Sequence, residues 1–165
     1  MDALADLSLV WHFIGPIQSN KTRAIAERFA WVHSVDRAKV ASRLSAQRPP
    51  GLAPLQVCIE VNVSGEASKA GVAPEGLASL ALEVAGLSGL RLRGLMTVPA
   101  PEEDFERQRA PYRCLRRHFD DLRARGLPLD TLSMGMTADV EAAIAEGATI
   151  VRIGTAIFGP RQRRE

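Results

Sequence analysis

Short apolar runs and amphipathic stretches alternate along the chain. Six apolar runs, bounded by glycine, proline or polar residues, predict β-strands at 8–15, 31–35, 55–63, 91–98, 129–134 and 149–158. Between them, apolar residues at helical spacing predict five helices at 18–30, 36–47, 74–87, 102–124 and 137–147. This strict alternation predicts a parallel sheet with its helices packed against it.

The length of the chain restricts how such a sheet can be arranged. An eight-stranded β/α barrel takes about 250 residues, or about 30 for each unit, so this chain supplies roughly five to six units. The pattern therefore leaves two architectures open: an open doubly wound sheet and a barrel that lacks two units. In either case we expect one domain over residues 1–165, because 46% hydrophobic residues suffice for one sizeable core.

Composition argues against several classes of partner. The formal net charge is only +2, which does not favour nucleic acid or an acidic membrane as the main partner. No apolar run reaches the roughly 18 residues that a membrane span needs, and no signal-peptide pattern opens the chain. Cys58 and Cys114 lie in apolar patterns without metal-ligand spacing. We therefore expect reduced cysteines, no metal site and a cytoplasmic protein.

An arginine interrupts the last apolar run, VRIGTAIFG at 151–159. If Arg152 is buried, it needs an anion or another acceptor as its partner. Gly154 lets a ligand approach the backbone closely, and Thr155 adds a hydroxyl and an N–H group that can hold a phosphate. The alternative is an arginine at a strand end whose guanidinium reaches solvent.

Polar residues also follow the fifth predicted strand, at the edge where parallel β/α folds bind their ligands. Ser133 ends that strand, Gly135 allows a tight turn, and Thr137 is predicted to cap the next helix. Ser133 and the later Gly-Thr pair would come from neighbouring strands, where barrel phosphate sites are commonly found. Ordinary strand-to-helix turn chemistry is the alternative.

Two other polar residues have two interpretations each, and a third has one. His12 lies among apolar neighbours and is either a hydrogen-bonded core residue or part of a binding face. Asn62 ends the third strand and either lines a site or begins a solvated turn. His33, within VHSVD, is expected to be structural.

Five stretches together closely resemble a known family. They are WHFIGPIQSNK, VHSVD, EVNVSGEASKAG, GLMTVPAP and LSMGMTADVEAAIAEGATIVRIGTAIFG. In this order they are similar to blocks of the pyridoxal 5′-phosphate homeostasis protein family, and they cover nearly the whole chain. The resemblance implies a (β/α)8 TIM-type barrel like the alanine racemase N-terminal domain. Here the first two β/α units are expected to be missing, which leaves six parallel strands.

The resemblance also implies a site for pyridoxal 5′-phosphate. Ser133, Gly154 and Thr155 would hold the cofactor phosphate, and Arg152 would face the pyridine nitrogen. Three further residues would lie around the same pocket: His12, Asn62 and Met134. An arginine keeps its proton at ordinary pH, so it would donate a hydrogen bond and leave the pyridine nitrogen unprotonated. Such a ring is a weaker electron sink than a pyridinium.

The covalent attachment point of the cofactor is implied to be absent. The family carries its Schiff-base lysine on the first barrel strand, upstream of WHFIG, and none of Lys21, Lys39 and Lys69 matches that position. We therefore expect a cofactor-binding protein with no catalytic residue and no turnover. It would buffer pyridoxal phosphate or deliver it to apo-enzymes that use it.

Two alternatives remain open. The first is a pyridoxal-phosphate-dependent amino-acid racemase or lyase, which would require a lysine and a second acid–base group. The second is a non-binding remnant that pairs with another chain through unpaired sheet edges. The complete family form is implied to be a monomer, whereas open edges would favour association here.

Overall fold

The computed structural model describes residues 4, 6–66 and 69–159, and over these residues strands and helices alternate. The strands are His12–Phe13 (β1), Trp31–Val35 (β2), Leu55–Glu60 (β3), Leu90–Met96 (β4) and Thr131–Ser133 (β5). The helices are Thr22–Arg28 (α1), Ala38–Gln47 (α2), Pro74–Ala85 (α3), Phe105–Ala124 (α4), Val140–Ala145 (α5) and Thr155–Phe158 (α6).

The five strands form one parallel sheet in the order β1-β2-β3-β4-β5. Helices α1 to α5 contact one another in sequence, which places them in one layer on the same side of the sheet. The sheet and its helices make up half of a β/α barrel, and the carboxyl ends of all the strands meet at one edge. An open sheet with helices on both faces is therefore excluded for the described residues.

The side chains of β3 point alternately into the hydrophobic core and to the other face of the sheet. Val57 and Ile59 are completely buried in the core formed with the helices. Cys58 and Glu60 alternate with them and point to the opposite side, because successive side chains of a strand face opposite ways. This second face carries the polar side chains that the next section describes.

The prediction of a sixth strand at 149–158 is wrong. Ile150 makes a single parallel bridge with Ser133, and the chain then forms the short helix α6. The reason is that β5 has only three residues and Gly135, with φ +90°, turns the chain away just after it. Beyond Ile150 this segment pairs with no described strand, and Arg152 N donates instead to Gly135 O at 2.9 Å.

Two other boundaries also differ from the prediction. Only two residues of the first predicted strand, 8–15, pair with β2, since Gly15 with φ +124° ends the extended segment. Thr137 does not cap the following helix, because α5 begins later, after Asp139.

Candidate functional site

A chain of hydrogen bonds runs along the carboxyl edge of the sheet. Arg152 Nη1 donates to Ser133 Oγ at 3.0 Å, and His33 Nδ1 lies 2.7 Å from the same oxygen. His33 Nε2 in turn lies 2.8 Å from His12 Nδ1. The structure thus brings together Arg152, Ser133 and His12, three of the residues that the sequence assigned to one site.

The guanidinium of Arg152 points inward rather than toward solvent. Besides its bond to Ser133, it donates from Nη2 to Thr97 O at 2.9 Å. Burial lowers the pKa of Arg152, while the nearby Tyr112, Asp139 and Glu60 raise it. An arginine nevertheless stays protonated in a protein, so this edge of the sheet carries a fixed positive charge.

Ser133 is completely buried, and its hydroxyl oxygen already contacts Arg152 and His33. In this arrangement the serine orients the arginine. Direct contact between Ser133 and a phosphate stays a prediction.

The amino end of α6 presents unpaired hydrogen-bond donors next to Arg152. Gly154 and Thr155 are exposed, and within the described residues their backbone N–H groups donate to no acceptor. The following N–H, of Ala156, donates to Thr137 Oγ1 at 3.3 Å. Thr137 therefore lies beside this pair of amides, and successive free N–H groups of this kind form anion-binding concavities.

His33 is the link that sequence reasoning missed. Burial, together with the neighbouring His12 and Arg152, lowers the pKa of His33 from 6.5 to about 4, so the ring is neutral near pH 7. Its ring also stacks on Trp31, two residues earlier, with 5.8 Å between centroids. Strand periodicity was the available signal, because Trp31 pairs with His12 and places His33 on the same face.

Glu60 also escaped the sequence analysis. It is only 8% exposed, and its carboxylate makes no hydrogen bond within the described part of the chain. Burial and Asp36 raise the pKa of Glu60, and Arg152 opposes this shift. A carboxyl group thus faces the same charged edge as Arg152.

The two remaining predicted residues serve the local structure. Asn62 holds the loop after β3: its Nδ2 donates to Glu66 O at 2.8 Å, and its Oδ1 accepts from Gly65 N at 3.1 Å. The side chain of Met134 lies in the hydrophobic core, while its backbone N donates to Ile150 O at 3.0 Å. A ligand contact for either residue stays a prediction.

Taken together, these groups can bind an anion that also carries a hydrogen-bond acceptor. No set of three or more His, Cys, Asp or Glu side chains is placed to hold a metal ion in the residues that the structure describes. Over the same residues, no helix has the length and apolarity required to cross a bilayer.

Comparison with known proteins identifies the family. The sequence profile described as "Alanine racemase, N-terminal domain" matches residues 5–162. Curated relatives named pyridoxal phosphate homeostasis protein include one from Pseudomonas aeruginosa, 65% identical over 158 residues, which are 96% of this chain and 67% of the relative. Another, from Escherichia coli K12, is 54% identical over 153 residues, 93% of this chain and 65% of the relative.

The chain belongs to the alanine racemase N-terminal domain family and, within it, to the pyridoxal phosphate homeostasis proteins. It spans about two thirds of the length of these curated relatives.

Solved structures agree with this assignment. PipY of Synechococcus elongatus, solved with pyridoxal phosphate bound, is 34% identical with a TM-score of 0.85, over 96% of this chain and 74% of PipY. An alanine racemase from Clostridium difficile 630 is 15% identical with a TM-score of 0.79, over 98% of this chain and 42% of the racemase. At that identity the racemase shows a shared fold only.

Proposed function

We propose that this chain binds pyridoxal 5′-phosphate reversibly and serves vitamin B6 homeostasis in the cytoplasm, by buffering the cofactor or delivering it to apo-enzymes without turnover. One observation carries the proposal: a half-buried arginine, held by two hydrogen bonds, lies next to two exposed N–H groups that have no acceptor among the described residues. The names of the curated relatives and the cofactor bound to PipY support it.

The donor set fits the cofactor. The N–H groups of Gly154 and Thr155, with the Thr137 hydroxyl, would bind the phosphate, because they are adjacent, exposed and close to a cation. Arg152 keeps donors beyond the two already used, and these would face the pyridine nitrogen. Ser133 and His33 would hold the guanidinium in place. When bound, pyridoxal phosphate supplies an aldehyde and an electron-withdrawing ring. With arginine at the pyridine nitrogen, that nitrogen would stay unprotonated and the ring would withdraw electrons only weakly.

The positions of the three lysines support binding without a covalent bond. Lys21 immediately precedes α1 and Lys39 lies in α2, so both are carried by the outer helix layer and both are exposed. Lys69 Nζ pairs with Glu66 at 3.2 Å in the loop after β3. We propose that none of them attaches to the cofactor aldehyde.

A racemase or lyase activity has less support. Tyr112, the only tyrosine, is completely buried and donates to Asp139 Oδ2 at 2.6 Å. A proton donor held in this way is not free to act on a bound substrate, which favours a carrier over an enzyme.

We further propose that residues 1–165 form one domain whose sheet of five described strands is part of an eight-stranded barrel. The greater length of the relatives supports this, as does the position of β1, which pairs only with β2 among the described residues. If no further strand covered β1, its exposed backbone would favour pairing with a second chain.

Calorimetric titration of the purified chain with pyridoxal phosphate tests the proposed function. The wild-type chain should bind one equivalent, and Arg152→Met should weaken binding by about 1.5–3 kcal/mol, the value of a hydrogen bond to a charged group. Arg91→Met is the matched control, because Arg91 lies exposed on β4 and should leave the affinity unchanged. Circular dichroism establishes that both variants fold. Absence of binding by the folded wild-type chain would refute the proposal, and unchanged affinity of R152M would remove Arg152 from the site.

A further inference from the structure

Two side chains of the outer helix α4 hold the turn that follows β5. Tyr112 donates its hydroxyl to Asp139 Oδ2 at 2.6 Å. Gln108, one helical turn earlier on the same face, donates from Nε2 to Ala138 O at 3.3 Å. Both acceptors lie in the segment Gly135–Asp139, which we call the site turn.

The opposite side of the site turn holds the groups of the proposed phosphate site. Thr137 Oγ1 accepts from Ala156 N, in the first turn of α6. Gly135 O accepts from Arg152 N at 2.9 Å. The site turn therefore connects α4 on the outside of the barrel with both α6 and Arg152.

Asp139 transmits the restraint through the turn. While Oδ2 accepts from Tyr112, Oδ1 accepts from Met136 N at 2.6 Å. Hydrogen bonds to a carboxylate are about twice as strong as those between neutral groups. Burial and Asp139 raise the pKa of Tyr112, so its hydroxyl remains a donor at any pH the protein meets.

Gly135 fits the turn but does not restrict its shape, because glycine adopts left-handed and right-handed backbone conformations about equally well. Its φ of +90° is disfavoured for residues with a side chain, and a Cβ there would lie 2.6 Å from Ala143 Cβ in α5. The position of Thr137 thus depends on the contacts that tie the turn to α4.

We propose that Tyr112 and Gln108 are positioning residues that set the affinity for the phosphate group of the cofactor without touching it. This inference rests on the proposed function, because it concerns the same site. It predicts selectivity: loss of the Tyr112 hydroxyl should affect a ligand that carries phosphate and spare one that lacks it.

Calorimetric titration with pyridoxal 5′-phosphate and with pyridoxal tests this prediction. Tyr112→Phe should weaken binding of pyridoxal phosphate about tenfold, the effect of one charge-assisted hydrogen bond, and change pyridoxal affinity by less than about twofold. Gln108→Met should show the same selectivity with a smaller loss. Asp120→Asn is the matched control, since it removes the exposed pair of Arg116 and Asp120 from α4 and should change neither affinity. An equal loss for both ligands, or none, would overturn the proposal.

Amide hydrogen exchange of the ligand-free chain separates this inference from the proposed function. Y112F should speed exchange at Met136 and Ala156, whose N–H groups bond to Asp139 and Thr137, while amides in the middle of α4 keep their protection. If the wild-type chain does not bind pyridoxal phosphate, the proposed function fails whatever the exchange shows. If it binds but Y112F leaves exchange and selectivity unchanged, only the positioning role is wrong.

Discussion

Acid should destabilise this protein through His33, and the size of the effect can be worked out from its surroundings. The ring is buried, both of its nitrogens are in hydrogen bonds, and Arg152 lies on the far side of Ser133. These surroundings lower the pKa from 6.5 to about 4 in the folded chain. In the unfolded chain the same imidazole has its ordinary pKa.

The direction of this change in stability follows from the number of protons that the folded and unfolded states bind. Between pH 6.5 and about 4 the unfolded chain binds a proton at His33 that the folded chain does not bind. The free energy of unfolding is therefore largest above pH 6.5 and falls as the pH decreases through this window. A difference of about 2.5 pKa units corresponds to about 3 kcal/mol at full effect.

Urea denaturation followed by circular dichroism, at several values between pH 7 and pH 4.5, measures this loss. His33→Gln cannot titrate, so its stability should depend less on pH, and the gap between it and wild type should narrow as the pH falls. Some slope should remain in the variant, because burial also lowers the pKa of His12. His118→Gln, on α4 and outside this chain of hydrogen bonds, should keep the wild-type slope. Parallel profiles for wild type and H33Q would refute the reasoning.

Two further predictions concern the lysines and Glu60. Borohydride treatment with pyridoxal phosphate, followed by mass spectrometry, should give no stoichiometric labelling of Lys21, Lys39 or Lys69, and full labelling of one of them would contradict reversible binding. Burial raises the pKa of Glu60, so the folded chain binds its proton more tightly and stability falls as the pH rises above the ordinary glutamate pKa. Glu60→Gln should therefore raise the free energy of unfolding at pH 7, with the gain disappearing near pH 4; a less stable variant at pH 7 would argue against this account.

Periodicity predicted the elements that pack against one another, and it failed where a single backbone angle decides the path. The α2 and α3 helices lie within one or two residues of their predicted bounds, because each buries an apolar stripe in the core. The run at 149–158 is as apolar as a strand, but the left-handed Gly135 removes its pairing partner. Its apolar side chains Val151, Ile157 and Phe158 are exposed, so in this run the apolar pattern predicted neither pairing nor burial.

The candidate site was predictable where it depends on short motifs and hidden where it depends on contacts between distant segments. Arg152 and Gly154–Thr155 could be proposed from the sequence because an arginine in an apolar run and a following Gly-Thr pair are unusual. The link between His33 and Ser133 joins residues 100 positions apart, and that between Tyr112 and Asp139 spans 27. Nothing in either local sequence marks these pairs.

The two hydrogen bonds that hold the half-buried Arg152 have a consequence for the speed of ligand exchange. Because Ser133 and Thr97 hold it in one position, this side chain need not be ordered when a ligand arrives. The arginine therefore adds no ordering step of its own to binding or release. Fast exchange of this kind suits the carrier role proposed above.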